Sequence, residues 1–128
     1  MANIIDLIGR IFISALFLIS AFNKIFNLEG SMSWMEGFGI PGFLIFPAIA
    51  VEVILPVLVI VGYQARIAAG ILAVFCLMTA FIFHFDFSNQ SQLISFLKNI
   101  GLAGGFMFIV ANGTKDWAVD REKKYVRL

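Results

Sequence analysis

Four unbroken apolar runs of about 20 residues each fill most of this chain, and they leave very few folds open to it. They extend from about Ile4 to Phe26, Pro41 to Val61, Ala65 to Phe85 and Gln92 to Ala111. Twenty residues of α-helix rise about 30 Å, the depth of the hydrocarbon core of a bilayer. In hydrocarbon the backbone finds no water, so each span must either bond internally as a helix or pair within a closed barrel. Barrel strands alternate apolar and polar residues over about ten positions, and these runs do not. The sequence therefore predicts an all-α fold, a polytopic membrane four-helix bundle over residues 1–112 with a charged tail over 113–128. The first run carries Asp6 early, has no A-x-A-like exit and reaches Lys24, so it is read as a retained span and not as a signal peptide.

Composition agrees. Hydrophobic residues make up 61% of the 128, charged residues 13%, and the mean hydropathy is +0.97. A soluble domain of this size carries about 25% charged residues and leaves roughly a third of its unfolded-chain surface exposed, so the expected partner is the lipid bilayer. A net charge of +1 without a basic stripe gives no field for nucleic acid. The single Cys76 permits no intrachain disulfide and no C-x-x-C pair. With one histidine and one cysteine, neither a bis-histidine haem nor a nitrogen- or sulfur-ligated metal site is expected. No phosphate loop, dinucleotide fingerprint, G-x-S-x-G or H-E-x-x-H occurs.

Lysine and arginine outside the spans set the orientation. Arg66 lies at the turn between the second and third spans, and Lys115, Arg121, Lys123, Lys124 and Arg127 lie in the tail. The other two loops carry Glu29, Glu36 and Asp86. Both termini are therefore expected in the cytoplasm, at a bacterial inner membrane. The tail is expected to fray or to lie as a helix on the surface, with Trp117 and Tyr125 at headgroup level. The loop holding Gly30, Gly37 and Gly39 is expected to cap the opposite face, Pro41 to start the second helix, and Pro47 and Pro56 to bend it.

Ionisable side chains within spans cost a few kcal/mol when they face lipid, so they turn inward and pair. The spans contain Asp6, Arg10, Lys24, Glu52, His84 and Lys98; Asp6, near a helix end, can reach the interface. At 100° per residue, Arg10 and Lys24 share one stripe of the first helix with Ser14 and Ala21 between them. Arg66 and His84 likewise bound a small-residue stripe of Gly70, Ala73, Leu77 and Ala80. Gly101 and Gly105 form a small-xxx-small pair suited to packing within the monomer. Counting at 1.5 Å per residue puts Glu52 near the midplane, with Lys98 about 5 Å to the outer side, Arg10 about 8 Å to the inner side, and Lys24 and His84 about 13 Å outward. This predicts a network centred on Glu52, with Lys98 as its nearest partner and Arg10 as the alternative, beneath an outer pocket of Lys24, His84 and Asn99. Such groups either lock helices in register or line a ligand site in which histidine, lysine and glutamate relay protons. Phe81, Phe83, Phe85 and Phe87 are read either as an aromatic mouth for a flat ring or as lipid-facing packing.

The order of these pieces is that of a known family. Gly9 and Arg10 open an apolar run that reaches Lys24, Glu52 sits in an apolar second helix, Gly62 to Arg66 form G-x-x-x-R, Phe83 and His84 close the third helix, and Phe96, Leu97, Lys98 and Asn99 open the fourth. Over Ile4 to Asn112 the chain resembles the DoxX family of small four-helix membrane proteins. Some members of that family are linked to the DoxD-type subunit of a thiosulfate:quinone oxidoreductase, others to oxidative-stress complexes, and distant relatives act in assembly. The resemblance implies a quinone-linked oxidoreductase subunit. His84, Glu52 and Lys98 would be its catalytic residues: His84 bonding or protonating a quinone oxygen, Lys98 stabilising developing negative charge with Lys24, and Glu52 acting as proton acceptor or counter-ion. Arg10, Lys24 and Asn99 would bind the ligand. The chain carries no electron carrier of its own, so quinone is the expected ligand and other membrane subunits, or further copies of the chain, the expected partners. The alternatives are a non-catalytic accessory or assembly subunit, and small-molecule binding or transport.

Overall fold

The computed structural model describes residues 1–119, and among them five α-helices and no strand. Helix α1 covers Ala2–Phe26, α2 Leu28–Glu36, α3 Ile45–Val61 preceded by a 3-10 turn at Gly42–Leu44, α4 Ala65–Phe83 and α5 Gln90–Asn112. Four of these segments, Ala2–Phe26, Gly42–Val61, Ala65–Phe83 and Gln90–Asn112, are long and apolar enough to cross a membrane. Even numbers of crossings return the chain to its starting side. The bundle therefore has a terminal end, holding Met1, the Gly62 turn and residues 113–119, and a loop end, holding α2 and the connection from His84 to Asn89.

Each boundary has a local cause. Asn89 caps α5, its side chain accepting from Ser91 N–H at 2.9 Å and Gln92 N–H at 3.3 Å. Gly62 ends α3 in the left-handed conformation, φ 78°. Helix α4 stops at Phe83, two residues short of the Phe85 that the apolar run suggests, because His84 leaves helical geometry and begins the polar loop. Pro47 falls in the first turn of α3, where backbone N–H groups have no helical acceptor in any case. Only Pro56 lies in the helix interior, and α3 continues across it.

The helices pack in the order α1 on α3, α3 on α4, and α4 on α5. The buried core combines Phe17, Val59, Leu72, Cys76 and Phe106 with Ala68, Ala69, Ala73 and Ala103. Small residues dominate the buried face of α4 because lipid gives apolar side chains no reason to leave it, so close backbone approach is what holds membrane helices together. Of the small-residue stripe, Ala73 and Ala80 are buried and Gly70 faces Val110 of α5, while Leu77 is exposed. Gly105 packs against Ile13 of α1, whereas nothing approaches Gly101; the two glycines serve no common contact.

The start of the tail is not a helix. Residues 113–119 lie as an irregular strap across the terminal end: Lys115 N–H donates to Asp6, Asp116 N–H to Asn3 and Val119 N–H to the Val61 carbonyl. Trp117 is half exposed. Arg121, Lys123, Lys124, Tyr125 and Arg127 lie outside the described residues.

Candidate functional site

The polar residues of the spans divide into two groups at opposite ends of the bundle. At the terminal end, Arg10 is 2% exposed. Its Nε donates to Asp6 at 3.0 Å, its Nη1 to the carbonyls of Val59 at 3.1 Å and Ile60 at 2.6 Å, and its Nη2 to the Trp117 carbonyl. This completes the end of α3, since a helix leaves its last four carbonyls unbonded. Leu58 takes the N–H groups of Gly62 and Tyr63, Val59 and Ile60 take Arg10, and Val61 takes Val119. A cation at a helix C-terminus also meets the favourable end of its dipole. Arg10 is therefore a structural clamp. It neither reaches Glu52 nor lines the cavity at the other end, contrary to the ligand-binding place the sequence suggests, and Asp6 is its ion-pair partner and not a bystander at the interface.

The second group surrounds a cavity of about 1050 Å³ in the loop half of the bundle. Lys24, Glu52, His84, Lys98 and Asn99 all line it. Glu52 is 4% exposed, and its partner is Lys24: Nζ to Oε1 is 2.9 Å and Nζ to Oε2 is 3.2 Å. Ser20 sits between them, accepting from Lys24 Nζ at 2.8 Å and donating to Glu52 Oε2 at 3.2 Å. The expected pairing with Lys98 does not occur. Counting depth along the helices treats side chains as level with their backbone, but each leans toward the N-terminus of its own helix. On α1 that direction carries Lys24 toward the middle of the bundle; on α3 it carries Glu52 toward the loop end, and the two meet. Lys98 leans the same way as Glu52, but it sits on α5, which packs on α4 and not on α3, whereas α1, with Lys24, packs directly on α3.

Lys98 consequently has no hydrogen bond or ion pair among the described residues. Beside it, Asn99 Nδ2 donates to Thr79 Oγ1 at 3.2 Å, and Thr79 Oγ1 donates to the Cys76 carbonyl at 3.1 Å, which fixes the amide against α4. His84 Nδ1 lies 2.8 Å from Gln92 Oε1. A carbonyl oxygen accepts, so Nδ1 carries the hydrogen and Nε2 is the nitrogen left for another partner. Pro56 adds one more feature: lacking an N–H, it cannot bond the Glu52 carbonyl one turn back.

Aromatic residues divide as well. Phe83 stacks on Trp34 of α2, ring centroids 4.6 Å apart, and both line the cavity. Phe81, Phe85 and Phe87 instead gather around Phe96 at 5.0–6.0 Å, outside the cavity. Of the four phenylalanines read as a mouth, only Phe83 belongs to it. Sequence reasoning did not single out Ser20, Trp34, Thr79 or Gln92. Ser20 was detectable, one turn before Lys24 on the same helix face; α2, which carries Trp34, sits among glycines that read as loop.

A small membrane bundle with an arginine clamp at one end and a charged, aromatic-walled chamber at the other is the setting in which the comparisons with known proteins fall. The DoxX family profile matches residues 5–85. Inner membrane protein YqjF of Escherichia coli K12 is 32% identical over 115 residues, covering 90% of this chain and 88% of its own length. Inner membrane protein YphA of the same organism is 30% identical over 122 residues, covering 90% and 87%. The chain belongs to the DoxX family. No solved structure matches it.

Proposed function

We propose that this protein is a multi-pass inner membrane protein that holds a lipid-soluble quinone in the loop-end chamber, as the quinone-binding subunit of a membrane oxidoreductase. One observation carries the reading: a cavity of about 1050 Å³ inside a membrane-spanning bundle brings together a part-buried Lys24–Glu52 pair, a Lys98 with no partner among the described residues, Asn99 and His84. The volume is at the upper end of the range for small-molecule sites, which are mostly apolar with a few placed polar groups. A quinone fits such a wall, since its ring needs flat apolar contact and its two carbonyl oxygens need donors.

Trp34 and Phe83 supply the aromatic contact. Lys98 is the cation not already spent on Glu52, so it is the group that opposes negative charge on a ligand oxygen. His84, oriented by Gln92 through Nδ1, presents Nε2 as an acceptor, suited to a hydroxyl of the reduced quinone. Lys24 holds Glu52 in place, where it serves as proton acceptor or counter-ion. A bound quinone supplies the two-electron acceptor; the electrons come from a partner subunit or a reduced substrate. Both termini are assigned to the cytoplasm and the chamber to the outer half of the membrane, following the positive residues Arg66 and Lys115 against the acidic loops.

The test is gentle purification from the native membrane, followed by mass spectrometry of bound lipophilic molecules and co-purifying proteins. A stoichiometric quinone, lost in Lys98→Met and His84→Ala variants that still fold, is the expected result. An empty chamber with one tight membrane-protein partner would make the protein an accessory subunit instead.

A further inference from the structure

The chamber has walls of unequal closure. Consecutive packing joins α1 to α3, α3 to α4 and α4 to α5, but α1 and α5 do not come together as a packed pair. Where they meet, near the middle of the bundle, Ile13 rests on Gly105 and the Phe17 and Phe106 rings lie 5.7 Å apart. Phe75 joins Phe17 at 6.5 Å, and together these rings form a floor. Level with that floor α1 presents Leu16, and above it, toward the loop end, Ile19 and Asn23, while α5 presents Ser95 and Lys98, all lining the chamber. Ile19 is 60% exposed and Lys98 is exposed. Over the top, α2 brings Trp34 and Met35 onto the cavity, Trp34 is stacked on Phe83, and the His84–Gln92 contact ties the end of α4 to the start of α5. Floor and roof are therefore made by packed rings and bonded side chains, and the open side is the slot between α1 and α5.

That slot lies within the membrane-spanning length of both helices, so it faces lipid. We infer that the ligand enters sideways from the bilayer between α1 and α5 and keeps its hydrocarbon chain in that slot, with its head group against Lys98 and Asn99. This deepens the quinone reading and rests on it for the head group; the slot itself requires only an amphiphile. Apolar Leu16 and Ile19 suit a chain, whereas a ligand arriving from water would have to displace the aromatic roof.

Binding can be read from the quenching of Trp34 in lipid nanodiscs, in a Trp117→Phe background that leaves Trp34 as the one indole of the chain. The probes are a short-chain isoprenoid benzoquinone, its tail-less water-soluble analogue, and a stearate spin-labelled on its chain. The variant pair Ile19→Phe and Ser95→Phe narrows the slot, and Ile19→Phe alone serves if the pair fails to fold. The affinity of the tailed quinone relative to the tail-less one is expected to fall at least tenfold on narrowing, and quenching by the labelled stearate to fall with it. An unchanged ratio and unchanged stearate quenching would overturn the lateral route. If neither quinone binds the unmodified slot while stearate quenching still depends on its width, the quinone reading fails and the route stands.

Discussion

At the level of single residues, two charged side chains buried to nearly the same degree do different work. Arg10 satisfies carbonyls, and Glu52 holds a lysine beside a cavity. Only a planar fork can reach Asp6, two carbonyls of α3 and Trp117 together, so Arg10→Lys is expected to cost about 2–3 kcal/mol despite keeping the charge. Thermal melting in mild detergent measures it, and a melting point within a degree of the parent would refute the clamp. Glu52→Gln is expected to cost about 2 kcal/mol by weakening a charge-assisted bond. Replacing Lys24 and Glu52 together by Leu should cost less than the sum of the two single changes, because removing one partner strands the other while removing both does not. Strict additivity in that cycle would show the two groups to be uncoupled.

Among the elements, the four spans were readable in sequence because length and hydrophobicity alone determine them, and α1 and α3 follow the expected limits closely. What escaped depends on direction and distance. Helix polarity brings Lys24 to Glu52, and the packing order sets α5, with Lys98, against α4 and not α3; a depth count discards both. Helix α2 lacks a long apolar run, having nine residues with glycines around it, and takes its place through Met35 and Trp34 contacts that form only on folding. The strap over residues 113–119 was invisible for the same reason: its bonds go to Asn3, Asp6 and Val61, more than fifty residues away. The α3–α4 turn gives the element-level test. Gly62 has φ 78°, and a Cβ there would stand 2.2 Å from the Ala118 Cβ and 3.3 Å from Arg10 Nη1. Gly62→Ala is expected to destabilise by more than 1 kcal/mol, about the left-handed penalty alone, and to speed hydrogen exchange at Val119. Exchange as slow as in the parent would mean that the strap is held by something other than this turn.

For the molecule as a whole, the core is thin and its largest fully buried apolar side chain is Phe106, at 0% exposure. Phe106→Ala is expected to cost about 3 kcal/mol and to loosen the floor that Phe17 and Phe106 share, seen as a lower melting point together with weaker ligand binding. A loss of stability with binding untouched would separate the floor from the site. Orientation is also a property of the whole chain: an alkaline phosphatase reporter inserted at Ser88 should be active and one joined after Leu128 inactive, and the reverse pattern would place the chamber on the cytoplasmic side. The Arg10 clamp has a last consequence, for synthesis. Its partners come from α1, from α3 and from Trp117, so the first helix is made with Asp6 alone among its acceptors, the α3 carbonyls following about fifty residues later and Trp117 last. The clamp is complete only once residue 117 has been made, which ties the final seating of the earliest helix to the residues after the fourth span.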